Sequence, residues 1–576
     1  MKNVTFISAG AGSGKTYTLT QKIVEMVRNG ECRSDEIILT TFTKSAANEL
    51  REKVRSALYA AGFYDAAMNI DNAAIVTIYS LAYQFVSRYW HLLGISANVT
   101  IMSMEDCNFY VSQSLSLLPT EDDMLLFDRI SKAFDVKKYD GTKKQNVLNP
   151  DFWKEELKNV IDKTMELCIS EDQLEKAKED SKKLLEETIR WNDDIVEKLP
   201  CSKHVRVLIE EYIDKIFYLA KQWKSSYEEF KRERCLLDNG DLLQKFHELL
   251  NKDEVANDIK SRYKVALVDE FEDYSPLQIK SFKLLSELME QSVWVGDIRQ
   301  SIYGFCGSNP ELVKAVIGEI KKGENGNKFE SLKYCWRSSE TIVNMVNDVF
   351  VKLFDGQIDA NLVKLGIPVG RENPPKEQNL RHWNFEDVKR EERKKMFVDE
   401  LEKFIEETRY SYKDIAILYR GINDVIDCAA ELKTRGIPYN VKLNNNAKDG
   451  LDDISAASDE NGITVMTCHQ SKGLEWPCVI LCSFNKKVLD KKNGFYGVLT
   501  LNTAEETLLR LVPVALKKVI EIDEENHEFF SHLREVPSNE AKRLLYVGMT
   551  RPKEQLILVT EGKADECDLW VKNKKV

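Results

Sequence analysis

A chain of 576 residues is too long for one hydrophobic core, and length alone divides it into about three or four domains. Hydrophobic residues at 43% and charged residues at 31% are globular values that exclude extensive disorder. Lys and Arg number 82 against 94 Asp and Glu, and the net charge of -12 argues against a generally basic nucleic-acid binder, leaving only a local basic groove. The 12 cysteines are scattered without paired CxxC clusters, so neither a disulfide framework nor a zinc site is expected, and a cytoplasmic setting is. Cys478 and Cys482 sit in an apolar run and read as buried small residues. No long uncharged apolar segment occurs, and the first strand starts almost at Met1, so neither a membrane span nor a signal peptide is expected.

The apolar run Val4-Thr5-Phe6-Ile7 leads into Ala9-Gly10-Ala11-Gly12-Ser13-Gly14-Lys15-Thr16, followed by a helical pattern from Tyr17 to Val27. Small residues between a strand and a helix let successive backbone N–H groups face one concavity, with the helix aiming its positive end there. Lys15 adds a charge for the terminal phosphates, and Thr16 supplies a hydroxyl for magnesium. The strict pattern has Gly where Ala9 stands; the plain alternative is a Gly-rich strand-to-helix turn.

Glu36 to Phe42 reads as a buried strand, Ala46 to about Tyr59 as a helix, and Ala73 to Ile78 as a third strand running into the helical Leu81 to Val86. Strand and helix in alternation predict a parallel sheet with crossovers. The charged stretch from Trp90 to about Leu236 is helical instead. Asn149-Pro150 is expected to open one helix with proline in its first turn, and Ser170-Glu171-Asp172-Gln173 has the spacing of a capping box. Val205, Leu208, Ile209, Tyr212 and Ile216 fall on one helical face.

Tyr263 to Glu270 is an apolar strand ending in two acids, and ligands of parallel sheets lie beyond such carboxyl ends. Asp269 is expected to hold magnesium through its water shell and Glu270 to orient and deprotonate the attacking water; otherwise the pair simply caps a solvated turn. Val293 to Asp297 is another strand, with Gln300 placed to sense a terminal phosphate. A second alternating half begins near Phe329, with strands at Asp414 to Tyr419, Ile463 to Thr467, Cys478 to Cys482 and Gln555 to Thr560, and a helix at Asp424 to Lys433.

Seven ordered segments carry a resemblance. They are the cradle; Thr41 to Leu50; Asp269-Glu270-Phe271-Glu272-Asp273; Gly296 to Phe305; Tyr334-Cys335-Trp336-Arg337-Ser338-Ser339; Thr467-Cys468-His469-Gln470-Ser471-Lys472-Gly473-Leu474-Glu475-Trp476; and Arg543 to Arg551. Together they resemble the superfamily 1 DNA helicases of the UvrD, Rep and PcrA type, with features of the RecB type. The resemblance implies an α/β fold of two RecA-like P-loop domains with parallel sheets and a helical insertion in the first. The implied divisions are 1–95 and 236–328 for the first RecA-like domain, 96–235 for the insertion and 329–576 for the second RecA-like domain.

It also implies an ATP hydrolase that uses Mg2+ and moves 3′ to 5′ on single-stranded or partly duplex DNA as a translocase and helicase. The catalytic set it implies is Lys15, Glu270, Gln300, Arg337 and Arg551. Ala9 to Thr16 cradle the phosphates, with Tyr17 beside them, Trp336 stacks on the base where the family usually has Tyr, and Glu475 contacts the ribose. Thr16 and Asp269 serve the metal. Phe42, Tyr303 and Phe305 are implied to stack on DNA bases, with Thr467 and His469 on phosphates; from the residues alone each aromatic could equally be core. Four positions depart from the family pattern: Glu272 for Gln, Cys306 for Arg, Tyr79 for His and Pro552 for a small residue.

A polar stretch from Asn444 to Gly462 stands where the family carries a large inserted subdomain, which is expected to be missing, while Lys486 to Glu535 forms a different insertion. No adenine-reading Gln segment precedes the cradle, and no nuclease domain is expected after Thr560. The alternative reading is a nucleotide-gated DNA-binding subunit of a separate nuclease, unwinding little by itself.

Overall fold

The computed structural model describes residues 1–560 except 141–144, 192–203, 305–306, 378–379, 386–387, 409, 442–457, 485–495, 506, 519 and 523–527. Phe305, Cys306, most of the polar stretch before Gly462 and parts of the Lys486 to Glu535 insertion therefore lie outside the described residues.

Six parallel strands form the first sheet: β1 (Val4–Ala9), β2 (Ile37–Thr41), β3 (Ala74–Thr77), β4 (Val265–Val268), β5 (Gln291–Gly296) and β6 (Lys328–Leu332), in the order β6-β1-β5-β4-β2-β3. Each central strand is apolar on both sides because helices cover both faces. Val4 and Phe6 of β1 join Ala266 and Val268 of β4 in one core, while Ile7 and Ala9 join Val265 and Leu267 in another. That alternation is the two-residue period of a strand.

The second sheet is also parallel. Its strands are β7 (Arg381–Asn384), β8 (Ile415–Tyr419), β9 (Tyr439–Val441), β10 (Ile463–Thr467), β11 (Trp476–Leu481) and β12 (Pro552–Thr560), in the order β7-β12-β11-β8-β10-β9. Ile415 and Ile417 face one core, and Ala416 and Leu418 the other. The α/β class with two parallel sheets thus follows the sequence pattern, but one boundary moves. Phe329, where the second half was expected to begin, lies in β6 and pairs with Phe6 of β1, so it completes the first sheet.

Between β3 and β4 the chain is mainly helical, with long helices at Phe152–Glu166, Glu171–Thr188 and Val205–Glu233. The predicted face of Val205, Leu208, Ile209, Tyr212 and Ile216 is buried. The capping box also forms: Gln173 N–H donates to Ser170 Oγ at 3.2 Å, and Ser170 N–H to Gln173 Oε1 at 2.8 Å. Pro150 differs from expectation. The helix starts at Phe152 with Asp151 as its cap residue, so Pro150 stands outside the first turn.

The insertion in the second half packs on this helical region. A hairpin of Gly497–Asn502 and Thr507–Val512 buries Leu499, Leu509 and Leu511 in the core that holds Trp153, Tyr212 and Trp223. Leu511 N–H donates to Ser181 Oγ at 3.0 Å, Val514 N–H to Glu156 Oε1 at 2.6 Å, and Arg510 pairs with Asp180 at 2.8 Å. Replacing Leu511 with alanine is expected to cost about 2–5 kcal/mol, measurable by urea unfolding.

Glu156 is buried at this junction and accepts from the Tyr212 hydroxyl as well. Burial pushes its carboxyl up to about 7 against the donors that favour its charge. The folded state therefore holds a proton that the unfolded chain releases near its ordinary value of 4.5, and stability falls as pH rises between those points. Glu156→Gln is expected to flatten that slope, worth up to about 3 kcal/mol between pH 5 and pH 8 in thermal or urea melts.

Candidate nucleotide and nucleic-acid site

The cradle between β1 and the helix Lys15–Arg28 needs two left-handed turns, met by Gly12 at φ 70° and Gly14 at φ 87°. Both are open to glycine at little cost. Gly12 also admits the second half closely: an added Cβ would lie 2.7 Å from Arg337 Cβ, and Trp336 N–H donates to Gly12 O at 2.7 Å. Ala9 and Ala11 are buried, Ser13 Oγ is buried with no hydrogen-bond partner among the described residues, and the Lys15 side chain is mostly buried. A loop of small residues with an unmatched buried hydroxyl, at a helix N-terminus, fits the oxygens of a phosphate chain.

Lys15 points across to the end of β4. Its Nζ is 2.6 Å from Glu270 Oε2 and 3.9 Å from Glu272 Oε1. Burial works against its charge, but Glu270, Glu272 and Asp269 outweigh that and hold the ammonium above its ordinary range. Glu270 takes φ 51°, a left-handed conformation costing about 1–2 kcal/mol for a residue with a side chain. Its N–H meets Asp269 Oδ1 at 3.0 Å, and the chain turns at once into Phe271–Asp273.

Burial opposes ionisation of Glu270, yet Lys15 and Lys472 win and keep its carboxyl well below the usual range. Asp269 goes the other way, pushed up to about 7 by burial and then by Glu270. A buried acid raised by a neighbouring carboxylate suits a divalent cation, since an added positive charge would restore its anion. Mg2+ would be held there by Asp269 together with the hydroxyl expected of Thr16, and would supply positive charge to the phosphate oxygens.

The second half closes the far side. Gln300 is buried after β5, with Nε2 donating to Asp297 Oδ2 at 2.7 Å and Oε1 accepting from Arg551 Nη2 at 3.1 Å. Arg551 is buried, and burial and then Arg337 bring its guanidinium down to about 9. Arg337 donates from Nε to Glu475 Oε2 at 2.6 Å and from Nη1 to Thr550 O at 3.1 Å. Glu475 is pressed by burial toward its neutral form but held ionised by Arg337 and Lys553. Trp336 is 53% exposed and Tyr17 70% exposed, both beside Gly14, leaving aromatic surface open next to the cradle. Lys15 with Glu270, Gln300 with Arg551 and Arg337 with Glu475 are thus paired at the junction of the halves, where Arg551 feels the charges of Arg337 and Glu270, and Trp336 and Tyr17 flank Gly14 of the cradle.

A cleft of 690 Å³ opens at the carboxyl ends of β2 and β3, lined by Phe42, Lys44, Thr77, Tyr79, Ser80 and Tyr83 among others. Phe42, 42% exposed, stacks on Tyr303 with ring centres 5.1 Å apart. The Tyr303 hydroxyl donates to His469 O at 3.5 Å, which ties the stack to the second half. Thr467 is bound by Gln470 Oε1 through both its N–H and its hydroxyl at 3.0 Å, and His469 Nε2 lies 3.8 Å from Glu540.

Residues 1–321 match the UvrD/REP helicase N-terminal domain and residues 442–563 the UvrD-like helicase C-terminal domain. The chain belongs to the UvrD/REP helicase family. Among its relatives in that family, an ATP-dependent helicase/nuclease subunit of Clostridium perfringens strain 13 is 24% identical over 61% of this chain and 37% of that protein. The ATP-dependent DNA helicase Rep of Buchnera aphidicola is 25% identical over 76% of this chain and 55% of that protein. The corresponding helicase/nuclease subunit of Lactococcus lactis is 24% identical over 77% and 46%. The chain spans about half or less of the length of these UvrD/REP relatives.

Lys472 lies in the Thr467 to Trp476 segment, where its local sequence implies no role. Its Nζ is 3.2 Å from Glu272, 2.5 Å from Asp273 and 2.8 Å from Gln300 O, all contributed by the first half. Position in the motif was the only signal, because nothing local says which strand end a lysine on a turn will meet.

Proposed function

We propose that the chain is an ATP-driven translocase on single-stranded DNA and a helicase of 3′-to-5′ polarity, using Mg2+ and serving repair, recombination or genome defence. The observation that carries this reading is the meeting of Arg551 from the second half with Gln300 of the first, where Arg551 also feels the charge of Glu270, the partner of Lys15. The backbone of Ala9 to Thr16 holds the phosphates, Lys15 neutralises the terminal ones, Glu270 orients the attacking water and accepts its proton, and Gln300 registers the terminal phosphate. Arg337 and Arg551 spread charge from the transferring group, while Trp336 and Tyr17 cover the base and Glu475 meets the ribose. Loss of the terminal phosphate removes the ligand linking the halves, so closure relaxes and the grip on a strand alternates.

The strand is taken to run over Phe42 and Tyr303, with the side chains of Thr467 and His469 near its phosphates, contacts that tolerate any base. Phe42→Ala is expected to weaken binding of a fluorescent oligothymidine about tenfold, read by anisotropy. ATP hydrolysis with and without single-stranded DNA, then with RNA, followed by strand displacement on a tailed duplex, tests the whole reading. A chain that hydrolyses no triphosphate with any polymer sinks it.

A second reading, a nucleotide-gated subunit of a separate nuclease, is favoured by the two relatives whose names pair helicase with nuclease. DNA-stimulated hydrolysis without strand displacement by the isolated chain would select it. Among the described residues no helix is long and apolar enough to cross a membrane.

A further inference from the structure

The turn that carries Gln300 is held by both carboxylate oxygens of buried Asp297. Oδ1 accepts from Arg299 N–H at 3.1 Å and from Arg299 Nε at 2.6 Å, and Oδ2 accepts from Gln300 Nε2 at 2.7 Å. An ordinary turn cap needs only the first of these oxygens. Arg299 is buried as well. Its Nη1 donates to Leu362 O at 2.6 Å and Val363 O at 3.0 Å, and its Nη2 backs the cradle so closely that a Cβ on Gly10 would lie 2.5 Å away. A guanidinium confined on these sides fixes the direction of the Asp297 carboxylate.

Gln300 stands between a group that only accepts and a group that only donates. A carboxylate offers no N–H and a guanidinium no lone pair, so the amide between Asp297 and Arg551 has one satisfied orientation, nitrogen toward Asp297 and oxygen toward Arg551. The reverse would set N–H against N–H and oxygen against oxygen in a buried place, where unmatched polar atoms are costly. Among the described residues, Val547 O, Leu474 O, Thr550 Oγ1 and Gln300 Oε1 take four of the five N–H groups of Arg551, and one on Nη1 is left for a phosphate oxygen. Of those four acceptors only Gln300 comes from the first half.

We propose that Asp297 is a positioning residue for hydrolysis: by fixing the Gln300 amide with its oxygen toward the second half, it makes Gln300 the acceptor that aims Arg551 at the terminal phosphate. The inference rests on the ATP-driven reading above. Arg551 is then already directed when charge builds on the transferring group, and nothing has to reorganise at that moment. Asp297 reaches Arg551 only through that amide.

The test is a polarity swap in the full chain, comparing Asp297→Asn, Gln300→Glu and Asp297→Asn/Gln300→Glu with the wild type at pH 8 in the presence of single-stranded DNA. In Asp297→Asn the new amide must turn its oxygen to the two N–H groups of Arg299, which leaves its NH2 facing Gln300. Gln300 flips to accept from it and sets its own NH2 against the guanidinium. The DNA-stimulated kcat is expected to fall about a hundredfold, with KM for ATP changed less than about threefold. Gln300→Glu sets two carboxylates face to face and is expected to lose about as much. The double variant carries the same single negative charge across the hydrogen bond and gives Arg551 an acceptor again, so about tenfold should return. A carboxylate that merely caps its turn would leave the two losses additive; that result, or single variants at wild-type turnover, overturns the positioning role.

Should Asp297→Asn fail to fold, the pH profile of Gln300→Glu decides. The charged groups around the pair are Arg299, Arg551, Glu272, which accepts from Asp297 N–H, and Lys472, which donates to Gln300 O. A proton shared by the two acids gives the new side chain the pattern of the glutamine, donor to Asp297 and acceptor from Arg551. Its turnover relative to the wild type should therefore rise about tenfold from pH 8.5 to pH 6, and a flat ratio overturns the role. A wild type that hydrolyses nothing refutes the motor. The same swap is then read as the rise in melting temperature given by a non-hydrolysable ATP analogue with Mg2+, where recovery in the double variant keeps Asp297 as the residue that aims Arg551 and no recovery overturns it. Hydrolysis by the wild type without recovery in the double variant leaves the motor standing and overturns the role of Asp297.

Discussion

Lys15→Ala is expected to abolish ATP hydrolysis, lowering it by about a thousandfold or more with single-stranded DNA present, equivalent to about 4 kcal/mol of lost transition-state stabilisation. The structure gives the loss two sources. Lys15 is the cation at the end of the phosphate cradle, so its removal takes charge from the terminal phosphates as they separate. It is also the nearest partner of Glu270, at 2.6 Å, in a cluster where Glu270, Glu272 and Asp273 bring carboxylate oxygens within 4.8 Å of one another. Without Lys15 those acids lean on Lys472 alone, and a buried carboxylate stripped of its partner destabilises a fold by about 3–5 kcal/mol. The variant should therefore melt earlier as well as lose turnover. A malachite-green phosphate assay paired with a thermal melt checks both, and wild-type turnover would remove Lys15 from the mechanism.

The cradle was legible because its requirements are local. Gly12 and Gly14 supply left-handed turns that any reader of the sequence can anticipate, and Lys15 and Thr16 follow at fixed offsets from a strand. Asp269 and Glu270 were legible for the same reason, since they end an apolar run that could only be a buried strand of a parallel sheet. Pairings across long sequence separations were not. Thr5 opposite Lys328 and Phe6 opposite Phe329 make β6 the edge of the first sheet, although the local pattern around Phe329 serves either half equally well.

The same limit governs the helical region. The spacing of Val205, Leu208, Ile209, Tyr212 and Ile216 shows a helix with one apolar face, but not that Leu499, Leu509 and Leu511 from the other half complete its core. Alternation in Gly497–Val512 specifies strands and is silent about what they cover. Lys472 belongs to this class too: its chemistry comes wholly from residues 172 to 200 positions away.

Glu270→Gln is expected to bind ATP at least as tightly as the wild type while turning it over about a hundred to ten thousand times more slowly. The amide is nearly the same size and still reaches the space facing Lys15, but it cannot accept a proton from water. Binding should not suffer, because Glu270 is one of the charges that hold Lys15 away from the phosphate position and also helps keep Asp269 pushed up to about 7. Neutralising it frees the lysine for phosphate and lets Asp269 ionise more readily beside an incoming Mg2+. Loss of proton transfer and relief of the like-charge pair thus act in opposite directions on turnover and affinity. A fluorescent ATP analogue should show unchanged or lower Kd while single-turnover hydrolysis collapses. If affinity fell in step with turnover, Glu270 would be holding the nucleotide rather than activating water, and the general base would have to be sought among the other acids at the end of β4.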